Sequence, residues 1–382
     1  MRSLPPMILV LLLWCAGLGA AAQFGKMSIL YDTLRTTYGG HGDVALGLVV
    51  SIVGMVGLVF GTTAGLLVAR IGPRRAIVAA LAAGAAMSVL QSLNPSYAVM
   101  IASRVIEGVS HLAIVVVGPT MIAALAPEAK RPLAMTLWSS FFGVTYTVLA
   151  LIGPVVTPVG LFLGHAGFMA VLALVLGATL PPDPKAAPAP LTNILAQHVE
   201  IYASPRLAAP AMGFCCYTFL YVAMLTLLPP ETPASHRALV AAGMPLASIL
   251  VSLTLGVRLL RYLPAVRLVM WGYAVAIPGF LLLWVMWGNG AGMAVAGLWL
   301  SAALGIVQGA SFAAIPELNA TSNDRARAAG AVAQLGNLGT TTGTPVLALL
   351  LATAGPPGLA IAATALCALG IAAHHIQARR RG

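Results

Sequence analysis

With 382 residues, 60% of them hydrophobic and 8% charged, and a mean hydropathy of +0.96, the chain departs from a soluble domain, where about a quarter of residues are charged. That composition excludes a water-soluble enzyme or adaptor and identifies an integral membrane protein. The net charge of +11 and pI near 10.0 would point to nucleic acid in a soluble protein; here the basic residues sit in alternate loops, so no nucleic-acid partner is expected and the lipid bilayer is the medium.

Apolar segments of about 20 residues, each long enough to cross a hydrocarbon core of about 30 Å, recur from end to end. In chain order they are predicted at 7–29, 44–68, 75–93, 98–124, 132–156, 160–180, 208–229, 238–259, 266–287, 291–314, 327–352 and 357–377. The expected fold is all-α, a polytopic membrane protein of about twelve transmembrane helices. Strands of about ten alternating residues, the mark of a membrane barrel, do not occur in the sequence. The first span also has the look of a secretory signal ending in "AGLGAAAQ". Its removal would leave eleven spans and spoil the duplication described below, so it is read as a retained helix. Cys15, Cys215, Cys216 and Cys367 all fall inside apolar spans without ligand-like spacing and read as small core residues. No metal site is expected.

Placing both termini in the cytoplasm puts 16 of the 20 Lys and Arg on that side, leaving Lys26, Arg35, Arg104 and Arg237. This is the positive-inside pattern. The densest basic stretch is "GLLVARIGPRR", Gly65 to Arg75, between the second and third spans. It has a counterpart: Gly65, Arg70 and Pro73 are repeated 191 residues later as Gly256, Arg261 and Pro264, and Pro154 as Pro345. Half of the chain is also 191 residues. Two related six-helix halves, 1–180 and 207–382, are therefore expected, joined by a cytoplasmic linker over 181–206 that includes the Pro/Ala-rich "PPDPKAAPAPLTN". No G-x-x-x-x-G-K-[ST] phosphate loop is present, so no nucleotide cofactor is expected and the energy for any transport must come from a gradient.

The loop Gly65–Arg75 resembles the signature loop of the major facilitator superfamily, whose pattern runs G-x-L-a-D-r-x-G-r-[RK]. Gly65, Leu67, Arg70, Gly72 and Arg74 fit it; Ala69 stands where the acidic residue usually is, and Pro73 where a basic one is common. Arg104 and Gly108 of "SRVIEG" resemble the R-x-x-x-G element of helix 4, and Gly153-Pro154 resembles part of the antiporter element of helix 5. The resemblance implies two six-helix bundles around a central cavity that opens alternately to each side. It also implies a gate built on Gly65, Arg70, Gly72, Arg74, Arg75, Gly256 and Arg261. Glycines there permit a tight turn and close helix approach, and arginines can bind helix-end carbonyls or a carboxylate across the seam. A plainer reading stands beside it, in which the arginines only anchor helix ends.

Ionisable groups inside a membrane are costly, and so they direct attention to function. Of nine Asp and Glu, only Glu107 falls well within a span, and Arg104, Glu107 and His111 share one face of the fourth helix. The expectation is that Arg104 holds Glu107 ionised or binds an anionic substrate, and that Glu107 or His111 carries a coupling proton. The competing reading is an ion pair that only fixes packing. Lys26, near the outer end of the first helix, either faces the cavity or snorkels to the interface. From helices that would line a cavity by the resemblance, Tyr146, Tyr217, Tyr221, Gln308, Gln334 and Asn337 are the polar and aromatic candidates. Glu317 is placed to pair with a loop arginine, and "HHIQARRRG" to meet anionic lipid. The function expected is a secondary transporter in the inner membrane, acting as a monomer, moving a small anionic, zwitterionic or neutral solute and coupled to protons. A proton-driven efflux antiporter is the alternative. An intramembrane enzyme or sensor is disfavoured, since the helix 4 stripe offers no nucleophile and too few metal ligands.

Overall fold

The structure, a computed structural model, describes residues 4–41, 43–183 and 194–381; every described segment is helix, turn or coil, with no strand among them. In a bilayer each backbone N–H and C=O must find its partner within the segment, and a helix does this for any sufficiently apolar run. Among the described residues nine helices are long and apolar enough to cross a membrane: α1 (Pro6–Ile29), α3 (Pro73–Ser92), α4 (Tyr97–Leu125), α6 (Pro158–Thr179), α7 (Ala208–Glu231), α8 (Ala234–Leu259), α9 (Ala265–Val285), α10 (Gly290–Leu318) and α12, the part of Ser322–Arg381 after Gly355, which makes up most of the apolar stretch Leu349–Arg381. Three more complete the twelve spans. These are α2 (Asp43–Ile71), α5 (Arg131–Ser139 with Phe141–Ile152) and α11, the first part of Ser322–Arg381 before the break at Gly355, where φ is 65°. Each predicted span has its helix, in order.

Local chemistry marks the ends. Proline opens α1, α3 and α6, at the position where a missing N–H costs nothing. Thr157 and Asn289 accept from the amides of Gly160 and Gly292 at the starts of α6 and α10. Gly72 turns the chain from α2 into α3 at φ 96°, and any β-carbon there would run into the Asp183 carboxylate.

Two features depart from the expected spans. Helix α5, expected as one piece, is interrupted at Ser140. Ser139 and Ser140 turn their hydroxyls back onto the carbonyls of Thr136 and Leu137, each at 2.7 Å, competing with the helix ladder. Short helices also form between the spans, at Tyr31–Tyr38 and at Ile194–Ala203. The second lies within the segment read as linker; residues 184–193 of that segment, including Lys185, lie outside the described residues.

Helices α1–α6 pack on one another and α7–α12 on one another, and the two sets meet along α2 with α11 and along α5 with α8 and α10. The seam is tight at the end that carries the arginine loops. A β-carbon on Gly61 would stand 2.8 Å from the backbone of Gln334, and one on Gly65 3.0 Å from the Ala326 carbonyl. One apolar core crosses the seam at this end, joining Leu13, Trp138 and Ile122 to Ala211, Phe312 and Ala328. Of the other large cores, one (Met27, Leu30, Leu149, Phe162) stays in the first half and one (Tyr217, Tyr273, Leu300) in the second.

Candidate functional site

The polar centre of the molecule lies inside the first half, and four helices build it. From α1, Lys26 is fully enclosed, and its Nζ donates to Glu107 Oε1 at 2.5 Å and to Ser88 Oγ at 2.6 Å. From α4, Arg104 and Glu107 are equally enclosed and paired through Arg104 Nη1 and Glu107 Oε2. Arg104 spends its other donors on backbone: Nε on Val49 O at 2.8 Å, Nη1 also on Gln23 O at 2.7 Å, and Nη2 on Val50 O at 3.3 Å. From α3, Gln91 Nε2 donates to Glu107 Oε2 at 2.8 Å and to Ser103 Oγ at 2.9 Å. From α6, His165 Nδ1 lies 2.6 Å from Ser88 Oγ and 3.4 Å from Lys26 Nζ, with Nε2 2.9 Å from Gly19 O. The Phe162 ring lies 5.4 Å from the Lys26 ammonium.

Helix geometry explains the α4 face. Spacings of three and four residues stack Arg104, Glu107 and His111 on one side, and that side is turned inward where α1 can answer it. His111 stands apart from the ion cluster. Its Nδ1 faces Ala20 O at 3.0 Å, and its ring meets Phe24 and Phe142 edge-on. Lys26 does not snorkel to the interface; with Glu107, Ser88 and His165 at hand, its ammonium is fully solvated by protein. Arg104 is fully enclosed with four of its five N–H groups bonded, so in this conformation no solute reaches it.

The cavity candidates fall into two groups. Tyr146 stacks on Phe142, and Tyr217 stacks on Tyr221 with centroids 5.1 Å apart inside the second half. Gln308, Gln334 and Asn337 stand on the seam. Gln308 donates to the Ser139 carbonyl freed by the break in α5. Gln334 donates to Leu58 O at 2.8 Å and accepts from the Tyr202 hydroxyl at 2.6 Å, while Asn337 abuts Gly54 and Gly57. Burial pushes the Tyr202 phenol up, which keeps it a donor.

Of the gate residues, Gly65 makes the contact across the seam described above, whereas Gly256, in the π-helical stretch Ser252–Gly256, meets only its own Val251 carbonyl. Arg74 and Arg75 present their backbone amides to Asp183 at 2.7 and 3.1 Å, and the Arg74 side chain donates to Gly177 O. These arginines hold α3 to the end of α6 within one half. Arg70 is exposed at the end of α2, and Arg261 lies in the exposed turn after α8. Glu317 binds the Ala265 amide, at 2.9 and 3.1 Å, rather than an arginine side chain. The tail arginines reach backbone, Arg380 the Ala203 carbonyl and Arg381 that of Pro205. The side chains of Ala69, Pro154 and Pro345 lie outside the described residues.

Sequence reasoning missed His165, Ser88, Gln91 and Asp183. His165 carried a usable signal, an ionisable side chain in the middle of an apolar run. Ser88 and Gln91 carried none, because hydroxyls and amides are ordinary in helices.

The family model of the Major Facilitator Superfamily matches residues 9–344. The inner membrane transport protein YajR of Escherichia coli (strain K12) is 30% identical over 208 residues, a stretch that covers 51% of this chain and 45% of that protein. The chain thus matches about half the length of this curated relative. Among solved structures, the human organic anion transporter MFSD10 superposes with a TM-score of 0.83 at 16% identity, covering 97% of this chain and all of that one. The proton:xylose symporter XylE gives 0.78 at 13%, covering 98% and 95%. The fucose transporter FucP in its outward conformation gives 0.76 at 14%, covering 97% and 99%. Twelve spans in two packed sets, the signature loop and the family match agree: the chain belongs to the Major Facilitator Superfamily, a family of transporters and not of enzymes.

Proposed function

We propose that this protein is a secondary active transporter of the inner membrane, working by alternating access as a monomer with both termini in the cytoplasm, and coupled to protons. Its halves, 1–180 and 207–382, rock about the seam, with 181–206 as the cytoplasmic connection. The observation that carries the coupling is the ion cluster of Lys26, Arg104 and Glu107, fully enclosed within one half. Such groups are costly in a membrane interior and are kept where they move protons or bind solute. The backbone-close seam contacts, Gly61 and Gly65 on α11, lie toward the arginine-bearing end, which supports a state closed on that side, with the other side leading to the solute. The halves would part there when Gly57, Gly61 and Gly65 leave α11 and Gln308 and Gln334 release the carbonyls they hold.

With one carboxylate against two cations, the field inside the first half is positive. That favours a small anionic, zwitterionic or neutral solute over a cationic drug. The pair Gly153-Pro154 favours a second reading, proton-driven efflux. Everted and right-side-out vesicles loaded with candidate organic acids separate the two. Accumulation in everted vesicles driven by a pH gradient establishes export, and accumulation in right-side-out vesicles establishes uptake. A flux unaffected by collapsing the gradient with a protonophore removes the coupling.

A further inference from the structure

The enclosed cluster does not balance its charge. Arg104 and Lys26 are cations and Glu107 is the one anion facing them; of the other titratable groups on the helices packed here, His165 on α6 stands against Lys26, while His111 on α4 faces Ala20 and Tyr146 on α5 lies beside Gly25. One positive charge is left over in the interior. Arg104 cannot shed it, since a guanidinium holds its proton in any protein setting. Protonating Glu107 would raise the surplus to two. Releasing a proton from Lys26 removes it altogether and leaves Arg104 paired with Glu107.

The geometry around Lys26 supplies a path for that proton. His165 Nε2 faces the Gly19 carbonyl, which only accepts, so Nε2 carries the hydrogen and Nδ1 presents its lone pair to Ser88. Ser88 Oγ in turn accepts from Lys26 Nζ. We propose that Lys26 carries the coupling proton and that Ser88 and His165 relay it: as Nζ gives a proton to Ser88 Oγ, the Ser88 hydroxyl proton passes to His165 Nδ1. The products are a neutral amine and an imidazolium. Both hydrogen bonds survive with their directions reversed, so no side chain has to move.

For the exit the structure offers a cleft of about 190 Å³ at the end of the half away from the arginine loops, lined by Thr33, Thr37, Asn94, Gln91 and Phe162 among others; His165 itself is not part of that lining. Its Gln91 and Phe162 also touch Glu107 and Lys26, and Phe162 is one helical turn before His165. His165 is 8% exposed where Lys26 is 0%.

The inference rests on the coupling reading above, yet its test needs no known solute. The chain has three lysines, Lys26, Lys130 and Lys185, so ¹⁵N-lysine NMR of the whole protein in nanodiscs follows each ammonium, with Lys26→Met giving the assignment. The expected result is that the Lys26 signal converts between ammonium and amine forms over a pH range in which Lys130 and Lys185 stay charged. A Lys26 signal that changes only together with theirs overturns the proposal. In His165→Gln the amide carbonyl still accepts from Ser88 but takes no proton. Exchange of the Lys26 protons with solvent then slows by about tenfold or more, within the range of positioned acid–base groups. Unchanged exchange in a His165→Gln protein that melts like the wild type removes His165 from the relay. If Lys26 titrates as expected and vesicle flux ignores the pH gradient, the proton carrier stands and the coupled-transport reading fails.

Discussion

The two halves are built alike at their loops and differently at their centres. At the loops, Pro73 is the first residue of α3 and Pro264 the residue just before α9, and at each of these starts a carboxylate from a distant segment receives free amides. In the first half it is Asp183, beyond α6, on Arg74 and Arg75; in the second it is Glu317, at the end of α10, on Ala265. At the centres the resemblance stops. The first half encloses Lys26, Arg104 and Glu107, whereas the buried polar residues described in the second are neutral: Tyr273 donates to the Gly213 carbonyl at 2.5 Å, Ser301 is enclosed, and His374 packs against Gly213 with neither ring nitrogen bonded. A helix N-terminus needs an acceptor wherever it falls, so either half fills that need with whichever acid is near. A charge in the membrane interior has no such general use, and its cost directs attention to function.

The strongest test of this contrast removes the central bond from each half. Glu107→Gln strips two enclosed cations of their only anion and is expected to cost about 3–5 kcal/mol. Tyr273→Phe in the second half loses one neutral hydrogen bond, about 1 kcal/mol. Thermal unfolding in detergent reads both, and equal losses would erase the distinction between the two centres.

A second comparison concerns the paired glycines of the loops. Gly61→Ala or Gly65→Ala pushes on the backbone of α11, so the seam is expected to open at that end at a cost of about 1–3 kcal/mol. Gly256→Ala meets no opposing helix and is expected to be neutral or stabilising by up to about 1 kcal/mol. Spin labels on the ends of α2 and α11 measure the separation; an undisturbed distance in Gly61→Ala would mean the contact is not what joins the halves. The smallest effect belongs to the caps. Asp183→Asn and Glu317→Gln should each lose about 1 kcal/mol, and by similar amounts, because each carboxylate meets an equivalent helix N-terminus.

Residue by residue, the legible and the illegible divide along one line. Helix α4 announced its polar face because Arg104, Glu107 and His111 are neighbours on a single helix, where spacing alone puts them together. The answering groups, Lys26, Ser88, Gln91 and His165, sit on three other helices, and no periodicity relates them. Asp183 shows the same limit from the other side. The loop Gly65–Arg75 departs from the family pattern at Ala69, and a carboxylate about a hundred residues away comes to the start of α3. Gln308 and Gln334, read as cavity candidates, lie at the seam because breaks and glycines elsewhere, at Ser140 and Gly61, bring carbonyls within their reach.

What the amino-acid order settled unaided was what one helix decides with the bilayer: the all-α class, the number of spans and their order. Transfer of a segment into hydrocarbon depends on its own composition and length, so those features are additive along the chain. Tertiary structure alone decided which polar groups meet. Pairing of Lys26 with Glu107, the contact of Ser88 with His165 and the glycine seam each need distant segments brought within a few ångströms. In a low-dielectric interior such contacts are strong enough to define the site, and too short in range to be visible before the helices are packed.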